Sequence, residues 1–280
     1  MSKQMYAKLL KSIKDGQKDI ALVTITKHFD ESLIGSKILF QENGVLLADP
    51  GLSKGFQAVI LEKVLPFFEK GVTKAVQFEY GDCQFECYME VFPVPPRLIV
   101  AGAGHVSEPV AKIGKMTGFH VTVIDDRPDF ANKERFPTAD EVVCAPYVEF
   151  FKALHVSPGT FIVLLTRGHK FDVVSLQELL RREEAIPKED RTAYIGMIGS
   201  KRRIAGVFEQ LKNEFSDHSF TNIYSPVGLD IGGQTPAEIA VSIMAEVLKV
   251  KNGKSGNSLK EKISSYSQLK FRERVKNEHS

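Results

Sequence analysis

One stretch limits what this chain can fold into. Leu98, Ile99, Val100 and Ala101 form a short apolar run, and Gly102-Ala103-Gly104 follows at once. Val106, Val110, Ile113 and Met116 then recur at helical spacing, and a second apolar run, Val121 to Ile124, ends in Asp125 and Asp126. A short unbroken apolar run suits a parallel strand whose two faces are both covered. Gly102 and Gly104 can take backbone angles closed to other residues, and without a Cβ they let a phosphate approach the amides that open the next helix. Gly118 stands where that helix should stop. The carboxylates come about 20 residues after the glycines, the distance at which a dinucleotide-binding unit presents an acid to a ribose.

The glycine pattern is incomplete, because Ser107 occupies the third position of G-x-G-x-x-G and asks for a wider approach of helix to strand. Pro109 lacks an amide donor and fits best in a first helical turn, which predicts a regular helix starting at or after His105. Strand before, helix after and acid beyond make the unit Rossmann-like. The rhythm then repeats: strand Glu141 to Cys144, helix Tyr147 to Leu154, strand Thr160 to Leu165, helix Asp172 to Arg182, strand Ala193 to Ile198, helices Lys201 to Phe215 and Thr235 to Leu248. Such alternation predicts an α/β fold, a Rossmann-like parallel sheet with helices on both faces.

Residues 1–90 read differently, as a small α+β domain. An amphipathic start (Met5, Leu9, Leu10, Ile13) leads to strands Ile20 to Thr26, Lys37 to Phe40 and Gly44 to Ala48, the last two around the turn signal Glu42-Asn43-Gly44. Ala58 to Phe68 reads as a helix, and Lys74 to Tyr80 pairs with Gln84 to Val91 across Gly81-Asp82. His28, Asp30, Glu31 and Ser32 read as a solvated loop. The proline-rich segment 91–96 is expected to be a stiff linker, residues 97–250 the Rossmann-like domain, and 251–280 a charged tail with a weak helical pattern at Leu259, Ile263, Tyr266 and Leu269.

Composition narrows the chemistry. The 280 residues suffice for two ordinary domains, and a net charge of +2 gives no general case for nucleic acid or a membrane surface as partner. Three cysteines and the absence of an apolar N-terminal segment lead to the expectation of a cytoplasmic protein. Cys83 and Cys87 lie on an alternating strand pattern, about 13 Å apart at 3.3 Å per residue, too far to share one ion. They read as core cysteines.

In an open parallel sheet the ligand sits beyond the carboxyl ends of the strands, so the strand-to-helix loops carry the candidate residues. The first loop offers Gly102, Gly104 and His105. The second offers Asp125, Asp126 and Arg127: a carboxylate for a free ribose diol, and a guanidinium for a flat base, an anion or an internal ion pair. In the third, Thr166 to Asp172, Arg167 and Lys170 point at the same crevice, and His169 is expected to hydrogen-bond Asp172, unless Asp172 merely caps the helix. In the fourth, Ser200 is a good N-cap, yet Lys201, Arg202 and Arg203 oppose the helix dipole, which argues for an anion nearby. Asp230, among Gly228, Gly232 and Gly233, faces the same crevice ahead of a capping box at Thr235, Pro236 and Glu238.

Taken together, GAGHVSEPVA, VIDDRPDF, LLTRGHKFD, YIGMIGSKRR and GLDIGGQTPAEIAVSIMAEVL resemble the XdhC/CoxI family of accessory proteins of xanthine dehydrogenase and related molybdenum hydroxylases, over about Arg97 to Lys249. The resemblance implies a protein that binds molybdenum cofactor (molybdopterin) as cargo, protects it and helps deliver its sulfurated form to an apo-hydroxylase. It also implies a homodimer and a cysteine desulfurase as a further partner. It puts weight on Gly102, Gly104, His105, Asp125, Asp126, Arg127, Arg167, His169, Asp172, Ser200, Lys201, Gly228 and Asp230. The N-terminal half departs from the family: where a Gly-Gly-Cys-type turn is typical, this chain has Asp49 to Gly55 without cysteine. A thiolate is the natural soft ligand for molybdenum or carrier of sulfur, so its loss weakens the case for thiol chemistry here. The alternatives are an NAD(P)-dependent oxidoreductase with His169 or Lys201 as proton donor, and a regulator that retains only the fold.

Overall fold

Two sheets organise the chain in the computed structural model, which describes residues 3–15, 18–68, 73–81, 83–215, 220 and 222–262. The first is antiparallel. After helix α1 (Lys3–Asp15) come β1 (Ile20–Lys27), β2 (Lys37–Gln41), β3 (Leu46–Ala48), helix α2 (Lys54–Phe68), β4 (Lys74–Tyr80) and β5 (Cys83–Phe92), in the sheet order β3-β2-β1-β5-β4. Alternation along β1 and β5 divides the side chains: Ala21, Val23, Ile25, Phe85, Cys87 and Met89 meet Phe56, Ile60 and Val64 of α2. Ile20 and Leu22 face Leu9 of α1 instead, while Leu10 is exposed. Cys87 is fully buried and Cys83 packs at the edge of the same core.

The second sheet is parallel throughout. Its elements are β6 (Arg97–Ala101), α3 (Ser107–Met116), β7 (His120–Asp125), β8 (Glu141–Cys144), α4 (Tyr147–Ala153), β9 (Thr160–Leu164), α5 (His169–Glu184), β10 (Tyr194–Met197), α6 (Lys201–Leu211), β11 (Ile223–Tyr224) and α7 (Pro236–Lys251). The order β8-β7-β6-β9-β10-β11 reverses direction between β6 and β9, the switch point at which such sheets open a crevice. Because both faces are covered, successive residues of one strand enter different cores. Leu98, Val100, Val121 and Val123 pack with Val110 of α3 and Ile243 of α7, whereas Ile99, Ala101, Ile162 and Leu164 pack with Phe151 of α4, Leu176 of α5 and Val207 of α6.

Several ends differ from the sequence expectation. Helix α5 begins at His169 rather than Asp172, because Gly168 is extended and the helix starts directly on leaving it. Helix α2 starts four residues early, at Lys54, and the two-residue strand β11 is too short to leave a periodic signal. Strand β5 continues to Phe92, into the segment expected to be a linker, and the Val94 amide donates to Asp19 at 2.8 Å. The hairpin turn residue Asp82 and the tail residues Ile263, Tyr266 and Leu269 lie outside the described residues.

The third-glycine position is resolved by packing. Ser107 is fully buried at the start of α3, and close helix-to-strand contact is made one to two turns later at Gly114, where a Cβ would come within 2.5 Å of Leu98 Cδ2. The work of a third glycine has moved along the helix.

Candidate functional site at the strand carboxyl ends

The candidate site begins at the turn after β6. Gly102 has φ +110°, and a Cβ there would lie 2.4 Å from the Leu165 carbonyl oxygen, so this glycine lets the turn close against the end of β9. Gly104 has nothing within 4 Å of its Cβ direction, and His105 is exposed. The turn is thus packed at one glycine and open at the other.

Asp125, 1% exposed at the end of β7, accepts hydrogen bonds from the Ala103 amide (2.8 Å), the Arg127 amide (3.1 Å), and Arg127 Nε (2.8 Å) and Nη2 (3.0 Å). Burial pushes its carboxyl up, but these donors outweigh it and hold the group down at about 2. The expectation of a carboxylate open to a ribose diol is therefore corrected for Asp125: its lone pairs are taken by the chain itself, which locks the acid to the glycine turn. Arg127 makes the internal ion pair and lies 3.6 Å from the centre of the Phe130 ring.

Asp126 is the more accessible acid. Arg167, from the loop after β9, meets it two-pronged, Nη1 to Oδ1 at 2.5 Å and Nη2 to Oδ2 at 2.9 Å, while resting 4.1 Å above the Phe171 ring. Arg167 Nη1 is also 3.7 Å from Asp125 Oδ1. Close by is a residue that sequence reasoning missed. Tyr147 opens α4, is 2% exposed, and packs its ring edge-on against Phe171. Its hydroxyl lies beside the Asp125 carboxylate, within hydrogen-bonding reach of it. Burial and the two aspartates push that phenol up, so it stays protonated. The only signal in the sequence was a polar-tipped residue among the apolar positions of a short helix.

The expected His169–Asp172 hydrogen bond does not form. Asp172 is fully buried and receives the Thr166 hydroxyl at 2.5 Å and Arg203 Nε at 2.7 Å, and Arg203 Nη2 also donates to the Thr166 carbonyl at 3.0 Å. A guanidinium offers two donors in a fixed fork, and here that fork displaces the single donor of an imidazole. Burial still pushes the Asp172 carboxyl up, against the pull of Thr166 and Arg203. His169 lies instead beside Gly206 of α6, whose Cβ would approach its Nε2 to 3.2 Å. The capping alternative is corrected as well, since Gly168 is the N-cap of α5.

Ser200 caps α6 through the Arg203 amide, while Lys201 and Arg202 are exposed. The anion inferred for this basic turn is, for Arg203, Asp172. The loop to α7 is fixed by Glu246, which accepts from Tyr194 Oη (2.6 Å) and the Gly228 amide (2.9 Å), and by the Val227 amide donating to the Met197 carbonyl at 3.1 Å. That bond seats the loop at the carboxyl end of β10 and leaves Asp230 exposed. Thr235, Pro236 and Glu238 form the expected capping box. Asp49 accepts from the Gly51 amide and from Gln57 Nε2, closing the turn that lacks the cysteine.

Sheet order, glycine turn and acid at the end of the second strand define the dinucleotide-binding Rossmann class. Within it, the model of the XdhC Rossmann domain matches residues 98–247, more than half of the sequence, and the chain belongs to that family. It is 30% identical over 180 residues to the uncharacterized protein YqeB of Escherichia coli, covering 63% of this chain and 31% of that protein. It is 32% identical over 156 residues to a probable xanthine dehydrogenase subunit of Bacillus subtilis, covering 56% and 43% respectively. The chain thus spans less than half the length of either relative. A crystal structure described as a xanthine dehydrogenase from Bacillus halodurans aligns over 90% of this chain and 97% of its own, with a TM-score of 0.50 and 21% identity, a likeness of fold.

Proposed function

We propose that this chain is a maturation factor for a xanthine dehydrogenase-type molybdenum hydroxylase, which binds the molybdenum cofactor as cargo and assists its sulfuration and insertion. One observation carries the reading. Asp125, Asp126 and Asp172 are each paired with an arginine, and among the described residues His169 makes no hydrogen bond to a carboxylate, so the site offers cations and an open glycine turn rather than an imidazole held for proton transfer. Binding an anionic cargo suits that arrangement better than hydride transfer does.

The residues fit the phosphate end of such a cofactor. Gly104 leaves room for close approach, and Arg167, with Lys201 and Arg202 at the next loop, supplies positive charge. When bound, the cofactor would bring the molybdenum centre that the client hydroxylase uses, and this chain would hold and orient it. Among the described residues no group of three or more His, Cys, Asp and Glu side chains could hold a metal ion, so the cargo would be held by its organic part. A cysteine desulfurase as sulfur donor, self-association as a homodimer and a cytoplasmic location belong to this reading. Among the described residues no helix is long and apolar enough to cross a membrane.

The test is to purify the chain from cells that make the cofactor, oxidise it and record pterin fluorescence. Retained pterin, lost in Arg167→Ala, supports the reading. Absence of pterin together with NADH oxidation on addition of a small carbonyl compound replaces it with the oxidoreductase.

A further inference from the structure

Strand β4 closes one side of the antiparallel sheet, and among the described residues no strand pairs with its outer edge. An open edge is a template for another strand, and proteins blunt such edges with prolines, bulges or very short strands. Strand β4 has none of these: its seven residues pair with β5 in unbroken register, and none is proline. Its two faces differ in chemistry. Lys74, Val76, Phe78 and Tyr80 alternate toward the side that α2 covers, where Val76 and Phe78 join the core and Tyr80 is 38% exposed. Ala75, Gln77 and Glu79 point the other way, with Glu86 of β5 opposite Gln77, and no lysine or arginine stands on that face of the two strands. A strand that fits this edge therefore alternates apolar residues with basic ones and places an acid opposite Lys74.

The chain itself carries such a sequence. From Leu269 to Lys276, beyond the described residues, it reads LKFRERVK: Leu269, Phe271 and Val275 alternate with Lys270, Arg272, Arg274 and Lys276, and Glu273 is the one charge at the apolar positions. Run antiparallel to β4 with Glu273 opposite Lys74, this sequence sets Phe271 opposite Val76 and Leu269 opposite Phe78. Lys270 then stands opposite Gln77, with Glu79 on its diagonal. The path of the chain favours a second copy as the donor. The antiparallel sheet sits at the amino ends of the parallel strands, where Asp19 and Glu42 share a cleft with Pro96 and Arg97. Helix α7 ends at that level, with Lys251 Nζ 5.3 Å from the Phe119 ring centre. The chain then turns at Gly253 (φ +59°) and runs back, so that a Cβ on Gly256 would lie 3.6 Å from Leu229 Cδ1. Leu229 belongs to the loop seated at the carboxyl end of β10, so the chain is leaving its own β4 behind.

We propose that the Leu269 to Lys276 segment of a second copy adds to the edge of β4 in this register, and that two copies exchange these segments reciprocally. Such an exchange is isologous, fills both edges and closes at a dimer. It gives the self-association of the proposed function a surface and rests on that part of the reading, not on the cargo.

The test is sedimentation equilibrium of the full chain and of two charge reversals, Lys74→Glu and Glu273→Lys. The full chain is expected to be a dimer, and each reversal, which sets like charges opposite each other at both edges, should weaken it about tenfold. An equimolar mixture of the two variants should recover the original dimer to within about twofold, because a mixed pair has opposite charges at both edges. Pairing of a tail with the β4 of its own chain does not give that recovery. Hydrogen exchange supplies a second readout: the β4 amides should exchange faster in either variant alone than in the mixture. A monomeric chain, a dimer indifferent to both reversals, or a mixture as weak as its components overturns the exchange. Pterin retained by a monomer ends the exchange and keeps the cargo reading; a dimer that behaves as expected but never retains pterin does the reverse.

Discussion

Arg203 Nε lies 2.7 Å from Oδ2 of Asp172, a carboxylate with no solvent exposure, and this contact ties the first turn of α6 to the first turn of α5. Removing the arginine leaves a buried carboxylate whose hydrogen-bond donor among the described residues is the Thr166 hydroxyl. Arg203→Ala is expected to lose about 3 kcal/mol, the low end for a broken buried pair, because Arg203 is itself partly exposed. The pH dependence has a definite sign. Burial already holds the Asp172 carboxyl above its ordinary 3.8, which favours the folded state at low pH and costs stability as pH rises through that range. Loss of Arg203 raises the group further, so the deficit of the variant should grow between about pH 4 and pH 7. Urea midpoints at the two pH values check this, and a constant deficit contradicts it.

Asp125 behaves in the opposite sense. Its carboxyl falls from 3.8 to about 2 in the folded state, so it stabilises the protein above pH 4 and loses that contribution as pH falls toward 2. The shift corresponds to about 2 kcal/mol. Asp125→Asn is therefore expected to be about 2 kcal/mol less stable at neutral pH, with the difference narrowing at pH 3. Chemical denaturation of both proteins at the two pH values measures it.

The two glycines of the turn should separate stability from binding. Gly102→Ala meets a backbone carbonyl at 2.4 Å and a positive φ, and should cost about 3 kcal/mol. Gly104→Ala meets nothing within 4 Å and should change stability by less than about 0.5 kcal/mol, while weakening whatever phosphate approaches there. Thermal melts distinguish the pair, and equal losses would remove the distinction between a packed and an open glycine.

Thiol reactivity should follow burial. Cys144 is exposed at the end of β8, whereas burial pushes the Cys87 thiol up to about 12. A chromogenic disulfide reagent should titrate Cys144 in seconds to minutes and reach Cys87 only on addition of denaturant. Rapid reaction of Cys87 in the folded protein would place β5 differently.

Most elements of the parallel sheet were legible because local period reports burial. The strand Glu141 to Cys144 was read to the residue, and the apolar runs at Leu98, Val121 and Thr160 suited strands covered on both faces, which they are. The five motif segments also pointed to one end of the sheet, and hydrogen bonds join three of the loops there: Asp126 to Arg167, and Asp172 to Arg203. What the sequence did not reveal was the use of each side chain. Spacing suggested Asp125 for a ligand and His169 for Asp172; the folded chain gives Asp125 to Arg127 and Asp172 to Arg203. Tyr147 was hidden because a tyrosine in an apolar pattern looks like core.

By itself the sequence determined the strand and helix rhythm, the sheet end that gathers the motif loops, and the family, since these depend on period, turn residues and motifs a few residues long. Only tertiary structure decided which acid pairs with which arginine. Asp126 and Arg167 are 41 positions apart, and Asp172 and Arg203 are 31 apart. Such pairs form where strand order brings loop ends within a few ångströms, and electrostatic and hydrogen-bond energies change steeply over that distance while the sequence records none of it.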